Sequence, residues 1–304
     1  MDLKSNLNEI CKLWIENQGY KTNNDALNTD YTLMALNRIN RLIPQKPRKI
    51  IKSNEFRAPD SEPLKSGMEY LFNAVRNGDD LLPFMSRQVN VKKFGLKQDA
   101  MFNDWNIHHF HMGTTFNKDG MIKGNKKILF ALLDDNNFYC IKITDHDFTN
   151  KELINIINNN WPKFINNHII NDILDVEYVP NSDELGSLRK NGINSITKLD
   201  DGKFILPPGG GITSAGGSIN ASLQKISINR YISKIEKFLD FSNLTAYMKN
   251  NDLDFLLNQT PDFCLVDTNL CNYFVIKDIK NDFFIEISSN ESEKVEIKFI
   301  YENT

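Results

Sequence analysis

The chain has 304 residues with 36 Lys and Arg against 39 Asp and Glu, so no overall basic charge indicates a nucleic-acid-binding protein. Apolar residues make up 40% of the sequence, which is enough for an ordinary core and excludes a wholly disordered chain. Four cysteines without CxxC spacing favour a reducing cytoplasm, and no apolar run reaches the roughly 20 residues that span a bilayer. We therefore expect a cytoplasmic protein without a membrane-spanning segment.

The N-terminal portion has apolar residues at helical spacing. They predict a first helix that ends near Gly19 and a second helix that ends at Pro44. A third helix is predicted between Ser61 and Gly78. The intervening segment 44–52 is predicted to be a loop with four basic residues, which could contact phosphates or could simply be solvated.

The pattern changes to extended strands from about residue 99. Residues 104–113 predict a short strand rich in aromatic residues and histidine, and residues 127–143 predict an apolar strand, a turn and an antiparallel return strand. Thr149 and Glu152 have the spacing of a capping box at the start of the next helix. The middle of the chain is therefore predicted to be a three-stranded antiparallel meander closed by a helix.

The C-terminal portion combines a glycine-rich loop with further helices and strands. A strand is predicted at 219–226, two helices at 228–241 and 244–257, and four strands beyond residue 262. The sequence thus predicts an α+β protein. Its three predicted segments are a helical portion (1–98), a His-bearing meander with its helix (99–175), and a glycine-loop portion with antiparallel strands (176–304).

Three of the five histidines lie within four positions of the first predicted strand. Because side chains alternate along a strand, His109 and His111 share one face and His108 takes the other. A fourth histidine, His146, follows the third strand of the meander, and that end of the strand can lie beside the His strand. Asp104 comes shortly before the histidines and could hold one of them.

One interpretation of this cluster is acid–base catalysis, because imidazole titrates near neutral pH. RNA cleavage without a metal needs a base for the 2′-hydroxyl, an acid for the departing 5′-oxygen and a cation for the phosphorane charge. His109 and His111 would be the acid–base pair. The candidates for the supporting polar and cationic groups are His146, His108, Asp104, Lys126, Lys127 and Lys142.

Three other interpretations of the cluster stay open. His109, His111 and His146 could hold zinc or manganese in a metal-dependent phosphoesterase or nuclease, whereas the catalytic interpretation needs no cofactor. The histidines and neighbouring aromatic residues could instead stack on bases in a non-enzymatic nucleic-acid-binding protein. A purely structural role within the sheet is the fourth interpretation.

The segment 207–218 has five glycines within nine positions. Successive N–H groups in such a loop can form a nest for an anion, although the spacing matches neither a P-loop nor a dinucleotide-binding motif. The segment predicts a phosphate-contacting loop, or otherwise a mobile or structural turn. The predicted phosphate-binding residues are Gly209, Gly210, Gly211, Thr213, Ser214, Gly216, Gly217, Ser218 and Lys127.

The order of the His strand, the strand LFALL, a hairpin, the strand YCIKI and a helix resembles the meander of the RelE/HigB-type toxin fold. That fold is grouped with barnase-like and colicin-like RNases, and the resemblance is one of topology over about residues 99–164. It implies a ribonuclease toxin or phage-defence effector, with RNA as substrate and an antitoxin or defence-system protein as partner. Toxins of this type carry Arg, Lys, Tyr or His on these strands, whereas this sequence has four histidines. DWNIHHFHMG and PPGGGITSAGGS are also similar to paired motifs of uncharacterised bacterial proteins.

Overall fold

A computed structural model describes residues 1–20, 22, 29–86, 99–173, 175–289 and 295–301. The α-helices are α1 (Leu3–Asn17), α2 (Tyr31–Ile39), α3 (Leu64–Asn77), α4 (Ala100–Trp105), α5 (Glu152–Asn160), α6 (Ser182–Lys190), α7 (Ile219–Phe238) and α8 (Phe241–Asn250). The strands are β1 (Lys49–Lys52), β2 (His108–His111), β3 (Lys127–Leu133), β4 (Asn137–Asp145), β5 (Thr197–Lys198), β6 (Phe204–Ile205), β7 (Phe263–Thr268), β8 (Tyr273–Asp278), β9 (Phe283–Ser289) and β10 (Val295–Ile300). The fold is of the mixed α+β class, as the sequence predicts.

The histidine-bearing strand belongs to a four-stranded sheet with the order β1-β4-β3-β2. Strands β2, β3 and β4 pair antiparallel, which confirms the predicted meander, and β1 adds to β4 in parallel. Apolar residues of α3 pack on one face of this sheet, and those of α5 pack on the other. The meander is therefore closed by α5, as predicted, and α3 covers its second face.

The basic segment 44–52 is not the open loop that the sequence predicts. Its second half forms β1, because Ile50 packs with the α3-side core and Ile51 with the α5-side core. Arg48 is buried, and its guanidinium donates to the backbone carbonyls of Pro44, Lys46 and Asp134. Arg48 is therefore withdrawn from solvent, whereas Lys49 and Lys52 at the two ends of β1 stay exposed.

Three other local predictions are wrong. Residues 100–105 form α4, where an extended chain is predicted, because the Asp99 carboxylate accepts from the Phe102 N–H and starts a helix. A single helix, α7, replaces the predicted strand at 219–226, since its buried residues recur at helical spacing. The expected capping box of α5 is not formed, because the hydroxyl of Thr149 donates to Asp147 instead.

The four strands predicted in the tail form a second antiparallel sheet, with the order β10-β9-β8-β7. This sheet belongs with α1, because α1 packs on β7 and the Leu265 N–H donates to the Asn6 side chain. The described residues of 1–36 and 221–304 form one compact unit, and described residues between 37 and 220 form the other. This division differs from the three segments expected from the sequence. No helix in the described ranges has the length and apolar character needed to cross a bilayer.

Candidate active site

Three histidines meet on the face of the sheet that is covered by α5. His109 and His111 lie on β2 opposite Phe130 and Ile128 of β3. His146 directly follows β4, and its ring centroid lies 5.5 Å from that of His111. The rings of His109 and His111 are 6.2 Å apart. The fold therefore joins two positions that are 35 residues apart in the sequence into one row of imidazoles.

This row of imidazoles runs from the core to the surface. The side chain of His109 is only 8% exposed, His111 is half-buried, and His146 is exposed. Phe148 packs edge-on against His109, with ring centroids 4.9 Å apart. A substrate at the surface can therefore reach His146 and His111, whereas His109 lies behind them.

The position of the His146 ring determines which of its nitrogens is free. Its Nδ1 lies 2.8 Å from the backbone carbonyl of Lys126. A carbonyl oxygen can only accept a hydrogen bond, so Nδ1 carries the proton. In the neutral form of the ring, Nε2 then has an unshared electron pair, which is what a general base requires.

The backbone of Gly124 passes close to the ring of His111. A Cβ atom at position 124 would lie 2.4 Å from His111 Nδ1, which is far inside a normal contact distance. Glycine is thus the residue that leaves room for this ring. The sequence pattern does not single out Gly124, because the close approach joins residues on different segments and depends on their placement in space.

Asp99, the residue that begins α4, lies beside the ring of His109. Nδ1 of His109 lies 3.5 Å from the Asp99 carboxylate. Burial lowers the pKa of His109, and Asp99 opposes that shift. Since burial is the larger influence, His109 is predominantly neutral at pH 7, and its contact with Asp99 is a polar contact that orients the ring.

His108 does not join the other histidines, because it points to the opposite face of β2. Its ring lies 4.6 Å from the ring of Phe102, between centroids. Burial lowers the pKa of His108 to about 4, so this imidazole is neutral at physiological pH. The candidate role of His108 as a third polar group of the site therefore has no support in the geometry.

Asp104 lies on α4 and is paired with Arg189. The Arg189 Nε donates to Asp104 Oδ2 at 2.7 Å, and Nη2 lies at the same distance from that oxygen. The guanidinium also lies over the ring of Trp105, 4.2 Å from its centroid. Both charged groups are almost fully buried, so Asp104 has a structural ion pair and does not contact the histidines.

The candidate lysines differ in the face on which they lie. Because side chains alternate along a strand, Lys127 lies on the same face of the sheet as Leu129, which packs on the α3 side. The histidine row is on the opposite face. Lys142 is on the histidine side but lies 2.5 Å from the Glu152 carboxylate. Lys126 adjoins the site through its carbonyl, and its side chain is exposed. Lys126 is therefore the lysine best placed to contact a phosphate beside His146.

Most N–H groups of the glycine loop are used inside the protein. Gly209 and Gly211 donate to the carbonyls of Asp104 and Asn103 at the end of α4. Six further N–H groups of the loop also donate to acceptors inside the protein, and they belong to Gly210, Ile212, Thr213, Gly216, Gly217 and Ser218. These donors are not available for an anion nest. The loop also meets α4 at the end opposite to Asp99, about 8 Å away along the helix.

A metal site on these histidines is an alternative that the sequence leaves open. Within the described ranges, no group of three or more His, Cys, Asp or Glu side chains has an arrangement that could hold a metal ion. His109, His111 and His146 lie side by side in a row.

Comparison with known proteins finds no relative of this chain. No protein-family model, no curated protein and no solved structure matches the chain significantly.

Proposed function

We propose that this chain cleaves RNA without a metal, and that His111 and His146 are its acid–base pair. The observation that carries the proposal is their placement, with ring centroids 5.5 Å apart at the surface end of the histidine row. The hydrogen bond from His146 to the Lys126 carbonyl adds to it, since it leaves Nε2 of His146 free to accept a proton.

In this reaction, Nε2 of His146 takes the proton of a 2′-hydroxyl group. The 2′-oxygen then bonds to the adjacent phosphorus, and the bond from phosphorus to the 5′-oxygen breaks. Protonated His111 gives its proton to that departing oxygen. The products are a 2′,3′-cyclic phosphate and a 5′-hydroxyl, and the ammonium of Lys126 stabilises the charge that develops on the phosphate.

His109 takes the role of a positioning residue. Its buried ring lies between Asp99 and the ring of His111, and Phe148 packs against it. A neutral, fixed ring at this place limits the movement of His111. Catalysis gains from such support because the reacting groups are already oriented when the substrate binds.

RNA as the substrate is supported by the antiparallel order β2–β3–β4 followed by α5, the part of the chain that resembles RelE/HigB-type toxins. We infer a cytoplasmic toxin or phage-defence effector that is restrained by an antitoxin or another defence-system protein. The four cysteines are all free thiols, which supports a reducing compartment.

The test is cleavage of a single-stranded RNA by the purified chain in the presence of EDTA. We expect cleavage products with cyclic phosphate ends, and a loss of at least about 100-fold in rate for His111→Ala and for His146→Ala. Lys127→Ala is the matched control, since this exposed lysine lies on the other face of the sheet. Parent-like cleavage by both histidine variants, or no cleavage by the parent, would overturn the proposal.

A further inference from the structure

A groove lined by cations lies where the first turn of α1 meets α7. Its volume is about 550 Å³, and it belongs to the compact unit formed by the described residues of 1–36 and 221–304. Lys4 lines it from α1, and α7 supplies the other lining residues, which are Ile226, Asn229, Arg230, Ser233, Lys234 and Lys237. Four of these residues are cationic, and none of the described lining residues is acidic. We call this feature the basic groove.

The cations of α7 lie on the face of the helix that is opposite to its buried face. The buried isoleucines of the helix recur at spacings of four and three, at Ile228, Ile232 and Ile235. Each of them is followed two positions later by an exposed cation, which is Arg230, Lys234 or Lys237. Two positions correspond to about 200° around an α-helix, so the cations point away from the core and extend over about 10 Å of its length.

The cations of the basic groove are unpaired in the part of the chain that the structure describes. Within those ranges, no ion pair or side-chain hydrogen bond involves the charged groups of Lys4, Arg230, Lys234 and Lys237. Two lysines of the same helices that lie outside the groove, Lys12 and Lys225, do pair with carboxylates. The basic groove is therefore distinguished from the rest of these helices by its lack of counter-charges.

The acids that adjoin these cations along the chain already bind groups within the protein. Glu236 accepts from the Leu3 N–H at 3.2 Å, and Asp2 accepts from the Ser5 N–H at 3.0 Å. Because Leu3 is buried, its contact with Glu236 also fixes the start of α1 against α7. The groove thus has a fixed wall from each helix and an excess of positive charge, in a chain whose formal net charge is -3.

We propose that the basic groove binds the sugar–phosphate backbone of single-stranded RNA. Cations spaced along a groove match the repeated negative charge of the backbone, and their contacts release the counterions that surround it. The amide of Asn229 and the hydroxyl of Ser233 can donate to phosphate or sugar oxygens. Among the described lining residues none is aromatic, so bases do not stack there and binding depends little on sequence.

An anionic membrane fits this surface less well than RNA does. A helix that lies on a bilayer inserts an apolar face beside its cations. The apolar face of α7 is instead buried in the protein, and Ile226 is the single apolar residue among the described residues that line the groove. RNA is also what the histidine row is proposed to cleave, so the choice of RNA as the polyanion rests on the proposed function.

The test is a fluorescence anisotropy titration with a labelled oligouridine of about 12 nucleotides. It uses His146→Ala as the reference chain, so that the RNA is not cleaved. In this chain we expect Arg230→Glu with Lys237→Glu to raise the Kd at least about 10-fold at about 50 mM salt. The slope of log Kd against log salt concentration should fall by about 1.4, because two phosphate contacts are lost. Glutamate is a good helix former, so α7 should persist, which circular dichroism checks.

The matched control is Lys249→Glu with Lys280→Glu in the same reference chain. Both lysines are exposed, belong to the same compact unit and lie outside the groove, and their replacement changes the net charge by the same amount. We expect the control to raise the Kd by less than about twofold, because charges away from the bound RNA are screened. Oligoadenylate should bind about as tightly as oligouridine.

The inference is overturned if the control weakens RNA binding as much as the groove variant does, or if the groove variant binds like the reference chain. It is also overturned if the reference chain binds vesicles of phosphatidylserine and phosphatidylcholine but not RNA. Binding and cleavage are separate readouts. If the groove binds RNA but the chain with His146 restored does not cleave it, this inference is supported and the proposed function alone fails.

Discussion

Asp99 Oδ2 lies 3.5 Å from Nδ1 of His109, and both side chains are largely removed from water. The same carboxylate accepts from the Phe102 N–H and begins α4. One side chain therefore starts the helix that precedes β2 and also lies beside the buried imidazole at the base of the histidine row. Asp104, five residues later, is the acid that the sequence pattern favours, but its carboxylate binds Arg189 instead.

We expect Asp99→Ala to lower the free energy of unfolding by about 1 kcal/mol, because the variant loses the acceptor at the start of α4. Asp99→Asn keeps an oxygen at that place and should leave the free energy nearly unchanged. Urea denaturation of both variants at pH 7 measures the difference. Equal losses in the two variants would show that the negative charge, and not the capping oxygen, is what α4 needs.

The half-buried His108 should make the folded state sensitive to acid. Burial lowers its pKa from 6.5 to about 4 in the folded state, so the unfolded chain takes up the proton first as the pH falls. Its contribution to stability is complete above pH 6.5 and is lost as the pH falls toward 4. Burial of His109 acts in the same direction.

Between pH 7 and pH 5 we expect His108 to account for about 2 kcal/mol of lost stability. His108→Gln has no group that titrates in this range, so its unfolding free energy should fall by that much less over the same interval. Urea denaturation of the parent and the variant at the two pH values gives the comparison. Parallel losses in both proteins would contradict the assignment of this effect to His108.

Gly124→Ala should displace the His111 ring, because the new methyl group would lie 2.4 Å from Nδ1. We expect the ring resonances of His111 to shift in NMR spectra and RNA cleavage to fall about 100-fold, with little change in Tm. Gly186→Ala is the control, since a methyl group there meets only the Thr149 side chain at 3.3 Å. Unchanged His111 resonances in Gly124→Ala would show that the ring has room to spare.

Gly209→Ala should weaken the fold, because its Cβ would lie 2.3 Å from the Phe102 carbonyl oxygen, a backbone atom that cannot easily move away. We expect a loss of about 2 kcal/mol in unfolding free energy. The exposed Ser214→Ala in the same loop should cost little. A parent-like stability of Gly209→Ala together with weaker RNA binding would instead favour the phosphate-contacting role that the glycine pattern suggests.

The sequence by itself determined the features that depend on local periodicity. The apolar runs of β3 and β4 with the polar turn between them, the helical stripe of α3 that ends at Gly78, and the four tail strands are all readable from neighbouring residues. Strand alternation likewise separates His108 from His109 and His111, because the side chains of a strand have a period of two whatever surrounds them.

Only the tertiary structure decided which of these residues meet. Asp104 is the acid that the sequence favours beside the histidines, but Asp99 takes that place because Arg189 comes to Asp104 from a distant segment. Likewise, His146 reaches His111 only through the register of β3 and β4. Glycines permit an anion nest, but Asp104 and Asn103 supply acceptors for the loop amides across about a hundred residues. The residues that bury a side chain or accept its hydrogen bond are far away along the chain. A local sequence pattern therefore cannot predict them.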